Sequence, residues 1–282
     1  MSPTNDNARN PRTIFIRRHS LMTRITHWLN VMCLSILLLS GLQIFNAHPA
    51  LYWGHYGADG NLALFTVGST GDGANAHGFV RAAGLEVSTT GVLGISNVDG
   101  QPTARAFPAW ATIPSFQDLA AGRRWHFFFA WLFLINGLVY AGFGILSGHF
   151  RRDLAPQAHE LSARHLWHEI LDHACLRFPK GEEAKRYNAL QKLTYIAVIA
   201  ILLPLMIVTG VTMSPGLNAA LPWLVDIFGG RQSARTIHFM TASLLVLFVV
   251  VHVAMVVLSG TWNNIRSMVT GRYAIRDTGP NS

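Results

Sequence analysis

The sequence predicts an all-α membrane protein built on a bundle of four transmembrane helices. Of its 282 residues, 50% are hydrophobic and only 13% are charged, whereas a soluble domain has about 25% charged residues. A soluble chain of this length needs more charge on its surface, so we do not expect a cytosolic enzyme. Lys and Arg exceed Asp and Glu by 22 to 14, but they do not form the basic and aromatic patches typical of nucleic-acid-binding proteins.

Four stretches contain no Asp, Glu, Lys or Arg and are long enough to span a bilayer, which takes about 20 residues. They are residues 28–45, 125–147, 193–213 and 237–258. Backbone polar groups in hydrocarbon must be satisfied within the segment, so each stretch predicts a helix. Pro204 lies inside the third stretch and predicts a kink there.

The distribution of Lys and Arg outside these spans predicts the orientation of the chain. Sixteen of them lie in the N-terminal arm, the loop 148–192 and the C-terminal tail, and six lie in the other two loops. The positive-inside rule therefore places both termini and the loop 148–192 in the cytoplasm. The long first loop, 46–124, and the short loop 214–236 then face outward.

The first loop differs in composition from the rest of the chain. It has nine glycines between Gly60 and Gly100, and two runs of alternating character at 62–67 and 85–88. Such a pattern predicts short strands joined by glycine turns. The sequence leaves two interpretations open: a mobile connector, or a docking surface for an extracytoplasmic partner.

The loop 148–192 contains a histidine-rich segment at 157–177. Apolar residues alternate with its four histidines, which predicts an amphipathic helix near the membrane surface. His168 and His173 are one residue too far apart for a zinc-binding HExxH motif, so we favour a solvated basic face over a metal site. Cys33 lies in the first span and Cys175 in this loop, and we expect no disulfide between them.

Four histidines at the ends of the spans or inside them carry the functional prediction, because ionisable residues at membrane depth are costly and usually functional. His27 and His126 open the first two spans, and His238 and His252 are 14 residues apart on the fourth. That spacing is about 21 Å along a helix, within about 40° of one face. Depth therefore pairs His27 with His252 near the cytoplasm, and His126 with His238 near the outer surface.

A pair of imidazoles on facing helices is what a six-coordinate b-type haem iron requires. Two pairs therefore predict two haems, and the absence of a C-x-x-C-H motif predicts that neither is covalently attached. Arginines near the pairs have two interpretations, as partners of haem propionates or as interfacial residues; they are Arg24, Arg123, Arg124, Arg235 and Arg266. Small residues around the second span either leave room for a flat macrocycle or allow close helix packing; they are Gly137, Ala141, Gly142, Gly144 and Gly148.

Several motifs resemble the bacterial cytochrome b561 or hydrogenase-type di-haem cytochrome b family. They are RITHWLN at 24–30, RWH at 124–126 and RYNALQK at 186–192, together with His238 and His252. The resemblance covers all four spans, and it is strongest to the thiosulfate-reductase-type cytochrome b subunits that accompany molybdopterin oxidoreductases. It implies an electron-transfer subunit of the bacterial inner membrane, whose two haems link the quinone pool to an extracytoplasmic redox partner.

The resemblance also implies a quinone site near the cytoplasmic haem, beside Asn188 and Gln191. Both are polar residues at the inner end of the third span, where they can bond a quinone carbonyl or cap the helix. The rival is an outer site lined by Phe107, Trp110 and Phe116, but these residues are more simply interpreted as an interfacial aromatic belt.

Two other function classes remain as alternatives. One is a self-sufficient cytochrome b561-type oxidoreductase that passes electrons from a small soluble donor to quinone. The other is a transporter or structural membrane protein without haem, which is disfavoured because no span carries an acidic or basic residue at its middle.

Overall fold

Long helices and short strands alternate along the chain. The computed structural model describes residues 12–57, 61–71, 75–98, 100–174 and 189–277. In chain order the helices are α1 (Leu21–Phe45), α2 (Leu119–Leu146), α3 (Ala163–Ala174), α4 (Ala189–Ala197), α5 (Leu203–Met213), α6 (Pro215–Ala220), α7 (Trp223–Ile227), α8 (Arg231–Leu258) and α9 (Thr261–Thr270). The strands are β1 (Arg12–Arg17), β2 (Ala50–Leu51), β3 (Phe65–Thr70), β4 (His77–Ala82), β5 (Leu85–Ser88), β6 (Gly94–Val98), β7 (Gln101–Arg105) and β8 (Arg272–Asp277).

Four helical spans in the described residues are long and apolar enough to cross a membrane: Leu21–Phe45, Leu119–Leu146, Ala189–Met213 and Arg231–Leu258. Each contains one of the predicted stretches almost entirely, but begins four to seven residues earlier. The sequence criterion stopped at charged residues such as Arg24 and Arg235. Arginine is nevertheless compatible with the first turns of a spanning helix, because its long side chain reaches the interface.

The third span is not a uniform α-helix. A π-helical segment, Val198–Leu202, separates α4 from α5, and Pro204 follows at the start of α5. Proline has no N–H to donate to the preceding turn, and single π-helical turns are a common way to accommodate such an interruption. The structure thus has a local irregularity at the position where the sequence predicts a kink.

The chain is mostly helical, as the sequence predicts, and its strands lie outside the four spans. Within the described residues the strands form three antiparallel sheets, in the orders β1-β8, β2-β3-β4-β5 and β6-β7. Strands β3 and β5 overlap the runs at 62–67 and 85–88 for which the sequence predicts strands. Helix α3 likewise lies within the predicted amphipathic segment 157–177.

The chain divides into two compact units. The larger comprises Trp28–Val139 and Val198–Leu247, and its apolar core is a helix bundle in which Cys33 of α1 packs with Phe129 and Phe133 of α2 and with Leu203 of α5. A second apolar cluster in this unit joins the first loop to the helices; it comprises Phe45, Leu51, Val67 and Ala106, with Phe239 of α8 against them.

The other unit comprises Met1–His27, Tyr140–Ala197 and Phe248–Ser282. Two carboxylates of the loop 148–192 contact the first turn of α4. Glu160 pairs with the Lys192 ammonium at 2.8 Å, and Glu169 accepts hydrogen bonds from the N–H groups of Ala189 and Leu190 at 3.1 and 2.7 Å. A carboxylate at this position also interacts favourably with the positive end of the helix dipole.

Candidate functional site

His126 of α2 and His238 of α8 face each other in the larger unit. Their ring centroids are 6.4 Å apart, and the ring planes are inclined at 62°. Both side chains are half-buried. The structure thus brings together one of the two histidine pairs that depth predicts.

A serine hydroxyl fixes the ring of His126. Ser40 Oγ on α1 lies 3.1 Å from His126 Nδ1, and it donates its proton to the Ile36 carbonyl at 2.7 Å. A hydroxyl has one proton, so towards His126 it accepts a hydrogen bond from Nδ1–H. The proton of the neutral imidazole is then on Nδ1, and the lone pair of Nε2 remains for a metal.

A threonine holds His238 in the same way. Thr209 Oγ1 on α5 lies 2.9 Å from His238 Nδ1 and donates to the Leu205 carbonyl at 2.6 Å. Ser40 and Thr209 are both fully buried. Each ring of this pair therefore has the same hydrogen-bonded environment, although different helices provide it.

A glycine follows each of these hydroxyl residues and contacts the same ring. A Cβ atom added at Gly41 would lie 3.4 Å from His126 Cε1, and one added at Gly210 would lie 3.4 Å from His238 Cε1. These are ordinary van der Waals distances at which an added methyl group just fits. The dipeptides Ser40-Gly41 and Thr209-Gly210 therefore make the same two contacts: the hydroxyl group lies beside Nδ1 of the histidine, and the glycine lies close to Cε1.

His27 of α1 and His252 of α8 form the second pair, in the smaller unit. Their ring centroids are also 6.4 Å apart, with ring planes inclined at 54°. Phe248 stacks on His252 with a centroid distance of 5.7 Å, and Tyr195 contacts the edge of Phe248. Aromatic packing therefore limits the rotation of His252.

Both centroid distances suit a metal ion held between two imidazoles. A metal–nitrogen bond of about 2.0 Å, with the ring centre about 1.1 Å beyond the nitrogen, gives a separation of about 6.2 Å for two opposite ligands. The two observed separations match this value, and neutral imidazole is a normal axial ligand of haem iron. The residues present therefore fit a haem at each pair, while ligation itself stays a prediction.

Three of the five arginines near the histidine pairs differ in their surroundings. Arg235 donates hydrogen bonds to the carbonyl oxygens of Ala50 at 2.7 Å and His48 at 2.5 Å. Arg24 donates to the Val269 carbonyl at 2.6 Å, and Arg124 is exposed. Two of the three thus contribute to packing, and their role towards propionates stays a prediction.

Of the two residues predicted to contact quinone, Asn188 lies outside the described residues and Gln191 is half-buried on α4. Next to Gln191 is Lys192, only 9% exposed and paired with Glu160. At the rival site, Phe107 packs edge-on against Phe45 with a centroid distance of 5.7 Å, whereas Trp110 and Phe116 are exposed.

A buried arginine connects the first loop to α1. Arg105 is 4% exposed and donates to the Ser115 carbonyl at 2.6 Å, to Thr112 Oγ1 at 2.6 Å and to Gln43 Oε1 at 3.1 Å. Burial lowers the pKa of Arg105 from its ordinary value. Gln43 also donates to the Phe116 carbonyl at 2.9 Å, so this network fixes the loop at the end of α1 that carries the Ser40-Gly41 dipeptide.

Sequence reasoning missed the residues that position the histidines. The signal was present, since a hydroxyl residue followed by glycine occurs in two of the charge-free stretches, at Ser40-Gly41 and Thr209-Gly210. It was not interpretable, because nothing in the sequence connects these dipeptides to particular histidines. It also missed the partner of Lys192, which lies 32 residues away at Glu160.

Comparison with known proteins identifies the same family as the motifs. The family model for prokaryotic cytochrome b561 matches residues 18–271. A relative from Azospira oryzae, with the provisional name protein-methionine-sulfoxide reductase subunit YedZ1, is 28% identical over 240 residues, which cover 85% of this chain and 90% of the relative. No solved structure matches the chain significantly.

Proposed function

Because the chain belongs to the prokaryotic cytochrome b561 family, we propose that this multi-pass membrane cytochrome binds two b-type haems and links the quinone pool to an extracytoplasmic redox partner. Both haems are non-covalent, one held by His27 and His252 and the other by His126 and His238. The observation that carries this proposal is the 6.4 Å centroid separation in each histidine pair. A bound haem supplies reversible one-electron oxidation and reduction.

The protein's own residues keep His126 and His238 in the tautomer that binds iron through Nε2. Ser40 and Thr209 accept the Nδ1 protons of His126 and His238, which fixes the tautomer in which Nε2 is the ligand. Such outer hydrogen bonds orient a metal-binding histidine and increase its basicity. Gly41 and Gly210 allow the neighbouring helices to approach the rings, and the apolar bundle excludes water. Arg24, Arg124 and Arg235 are proposed to face the haem propionates.

Orientation gives the two pairs different tasks. The positive-inside rule places His27 and His252 near the cytoplasm and His126 and His238 near the outer surface. Quinone then exchanges electrons at the inner side, beside Asn188 and Gln191. The redox partner docks at the outer side, where the first loop presents its two sheets.

The resemblance of the motifs to thiosulfate-reductase-type cytochromes supports a molybdopterin oxidoreductase as this partner. The name of the Azospira oryzae relative, a subunit of a protein-methionine-sulfoxide reductase, supports an oxidoreductase complex of which the membrane chain is one component. The chain is proposed to move electrons and not to convert a substrate on its own.

The test is the haem content of the purified full-length protein. A pyridine haemochrome assay should give two haems b per chain, and the reduced-minus-oxidised spectrum should be that of low-spin, six-coordinate haem. A quinol analogue should reduce both haems. One haem or none per chain would contradict the proposal.

The quinone site needs a separate experiment. An inhibitory quinone analogue should shift the midpoint potential or spectrum of the haem bound by His27 and His252, and Asn188→Ala should abolish the shift. A shift confined to the other haem would assign quinone to the outer surface. A shift unaffected by Asn188→Ala would reject Asn188 while leaving both haems in place.

A further inference from the structure

A basic cavity lies in the smaller unit, on the N-terminal side of His27 and on the C-terminal side of α9. It has a volume of about 490 Å³ and is lined by residues of β1, the start of α1, the end of α9 and β8. Four basic side chains line it: Arg17, His19, Arg24 and Arg272. The proposed function assigns one of these side chains, Arg24, to a haem propionate, and it does not account for the other three.

The strand pairing itself places like charges together. In the antiparallel ladder of β1 and β8, Arg17 is the direct partner of Arg272. Directly opposite like charges destabilise a sheet. In the described part of the chain, no Asp or Glu lines this cavity or pairs with its three arginines. The arrangement is explained if an anion from outside the chain neutralises the pair.

Arg24 adds a third guanidinium and a buried donor. One terminal nitrogen donates to the Val269 carbonyl at 2.6 Å, which fixes the group, while its Nε is buried without a hydrogen-bond partner. A buried donor without an acceptor is costly, and an anionic oxygen in the cavity would remove that cost. Gly271 has a φ of +81°, a conformation that glycine adopts easily. A Cβ atom added at Gly271 would lie 3.5 Å from Cζ of Arg24, so the backbone passes close to the guanidinium group.

His19 contributes a neutral group to the cavity. Burial and the adjacent charge of Arg18 lower the pKa of His19 to about 4, so its imidazole is uncharged at neutral pH. The cavity thus combines three permanent cations with one neutral imidazole, which has one donor and one acceptor nitrogen. Guanidinium groups bind phosphate oxygens in bidentate fashion, so this set suits a phosphate.

Apolar surface lies beside the charged groups. The Phe15 ring lines the cavity and is 54% exposed. Leu21 and Ile25, in the same first turns of α1 as Arg24, are 56% and 55% exposed. A second cavity of about 370 Å³ shares Phe15, Thr270 and Arg272 with the first and adds Arg266. The combination of a basic trough and exposed apolar side chains at the end of a membrane span suits a ligand that has both a phosphate and acyl chains.

We propose that this cavity binds the headgroup of an anionic phospholipid, with its phosphate between Arg17, Arg272 and Arg24. The cytoplasmic leaflet is the one whose anionic lipids attract clustered arginines next to a membrane helix, and the predicted orientation puts the cavity on that side. The site joins the two ends of the chain, because β1 and β8 each provide one arginine.

The experiment uses the full-length, haem-loaded protein in detergent after removal of bound lipid. Phosphatidylglycerol and phosphatidylcholine are titrated separately, and retained lipid is counted by native mass spectrometry. We expect specific retention of phosphatidylglycerol, and about 10- to 30-fold weaker binding in the double variant R17Q/R272Q. R151Q/R164Q is the matched control, since it removes two exposed arginines from the loop before α4, outside the cavity, and should bind as the parent does.

Four other outcomes of the lipid-binding experiment would overturn the proposal. Equal weakening in both double variants would mean that only total charge matters. Competition by inorganic phosphate at the same concentration as lipid would make the ligand a free phosphate. Loss of haem from R17Q/R272Q would assign the cavity to haem carboxylates. If R17Q/R272Q does not fold, R17K/R272K keeps the charge while removing the bidentate geometry, and undiminished binding by that variant would also reject the site.

Discussion

The Oγ atom of Ser40 lies 3.1 Å from Nδ1 of His126, and its own proton is donated to the carbonyl of Ile36. The same relationship joins Thr209 to His238. A residue that donates into its own helix offers only a lone pair to its neighbour, so these two hydroxyl groups determine which imidazole nitrogen is available. The ring nitrogen that is available in this pair is thus determined by α1 and α5, which contribute no histidine to the pair.

Removal of either hydroxyl should therefore change the haem of this pair alone. For Ser40→Ala and Thr209→Val we expect about tenfold weaker haem retention and an altered midpoint potential, because the Nδ1–H loses its acceptor. Thr209→Ser should restore the parent potential. Ser35→Ala and Thr194→Val are matched controls, because these exposed hydroxyl groups also donate to the carbonyl four residues earlier. Equal effects in controls and test variants would contradict the assignment.

Each histidine pair should hold its own haem, and redox titration should resolve the two haems as separate components. His27→Ala and His252→Ala should remove the same haem component, and His126→Ala and His238→Ala the other, because iron cannot keep six-coordinate binding with one ligand. Redox titration followed by absorbance resolves the two components. If His27→Ala and His238→Ala deleted the same component, the pairing would be wrong.

The glycines beside the rings should tolerate one methyl group and no more. An added Cβ lies at 3.4 Å from either ring, so Gly41→Ala and Gly210→Ala should keep both haems. Gly41→Val and Gly210→Val should displace the ring and cost about 1–3 kcal/mol, visible as loss of the haem bound by His126 and His238. Ala200→Val, at an exposed helical position, serves as the control for adding bulk within a span. Retention of both haems in the valine variants would show that the rings do not need this close packing.

Arg105 should contribute more to stability than any exposed arginine of the first loop. Its three acceptors include Gln43 of α1, so Arg105→Ala leaves buried polar groups unsatisfied and should cost about 3 kcal/mol. Thermal unfolding and proteolysis of the first loop measure the effect. Arg81→Ala is the control, since the pair of Arg81 with Glu86 is about half exposed and is expected to contribute less than about 1 kcal/mol. Similar losses of stability in Arg105→Ala and Arg81→Ala would mean that the hydrogen bonds around Gln43 do not anchor the first loop to α1.

The terminal sheet should open in mild acid. The pKa of His19 is about 4 in the folded protein, against 6.5 in an unfolded chain, because burial and Arg18 disfavour its charged form. Protons therefore bind more tightly to the opened state, and the stability present above pH 6.5 is lost progressively as the pH falls towards 4. Amide hydrogen exchange of β1 and β8 at pH 7 and pH 5, corrected for intrinsic rates, reports this loss. His19→Gln should remove the pH dependence, and an unchanged dependence in that variant would assign it to another group.

The sequence predicted the four spans because a run without charge is a property of one segment at a time. It also predicted which histidines are brought together, since helix rise and topology determine depth. It did not predict the terminal sheet, because Arg17 and Arg272 are at opposite ends of the chain and no periodicity connects them. The hydroxyl–glycine dipeptides were missed for a related reason. A contact such as Ser40 with His126 depends on the rotation of one helix against another, which the apolar composition of both helices leaves undetermined.

The pairing of β1 with β8 has a consequence for how the chain is made. During synthesis, β1 leaves the ribosome before α1 and β8 leaves after α8, so all four spans are made before Arg272 can meet Arg17. A translation product that stops before Arg272 contains every histidine of both pairs and yet lacks β8 and one of the four basic side chains of the cavity. Such a product would pass a spectroscopic inspection for haem. The pairing of β1 with β8 therefore has to be checked by a measurement other than the haem spectrum.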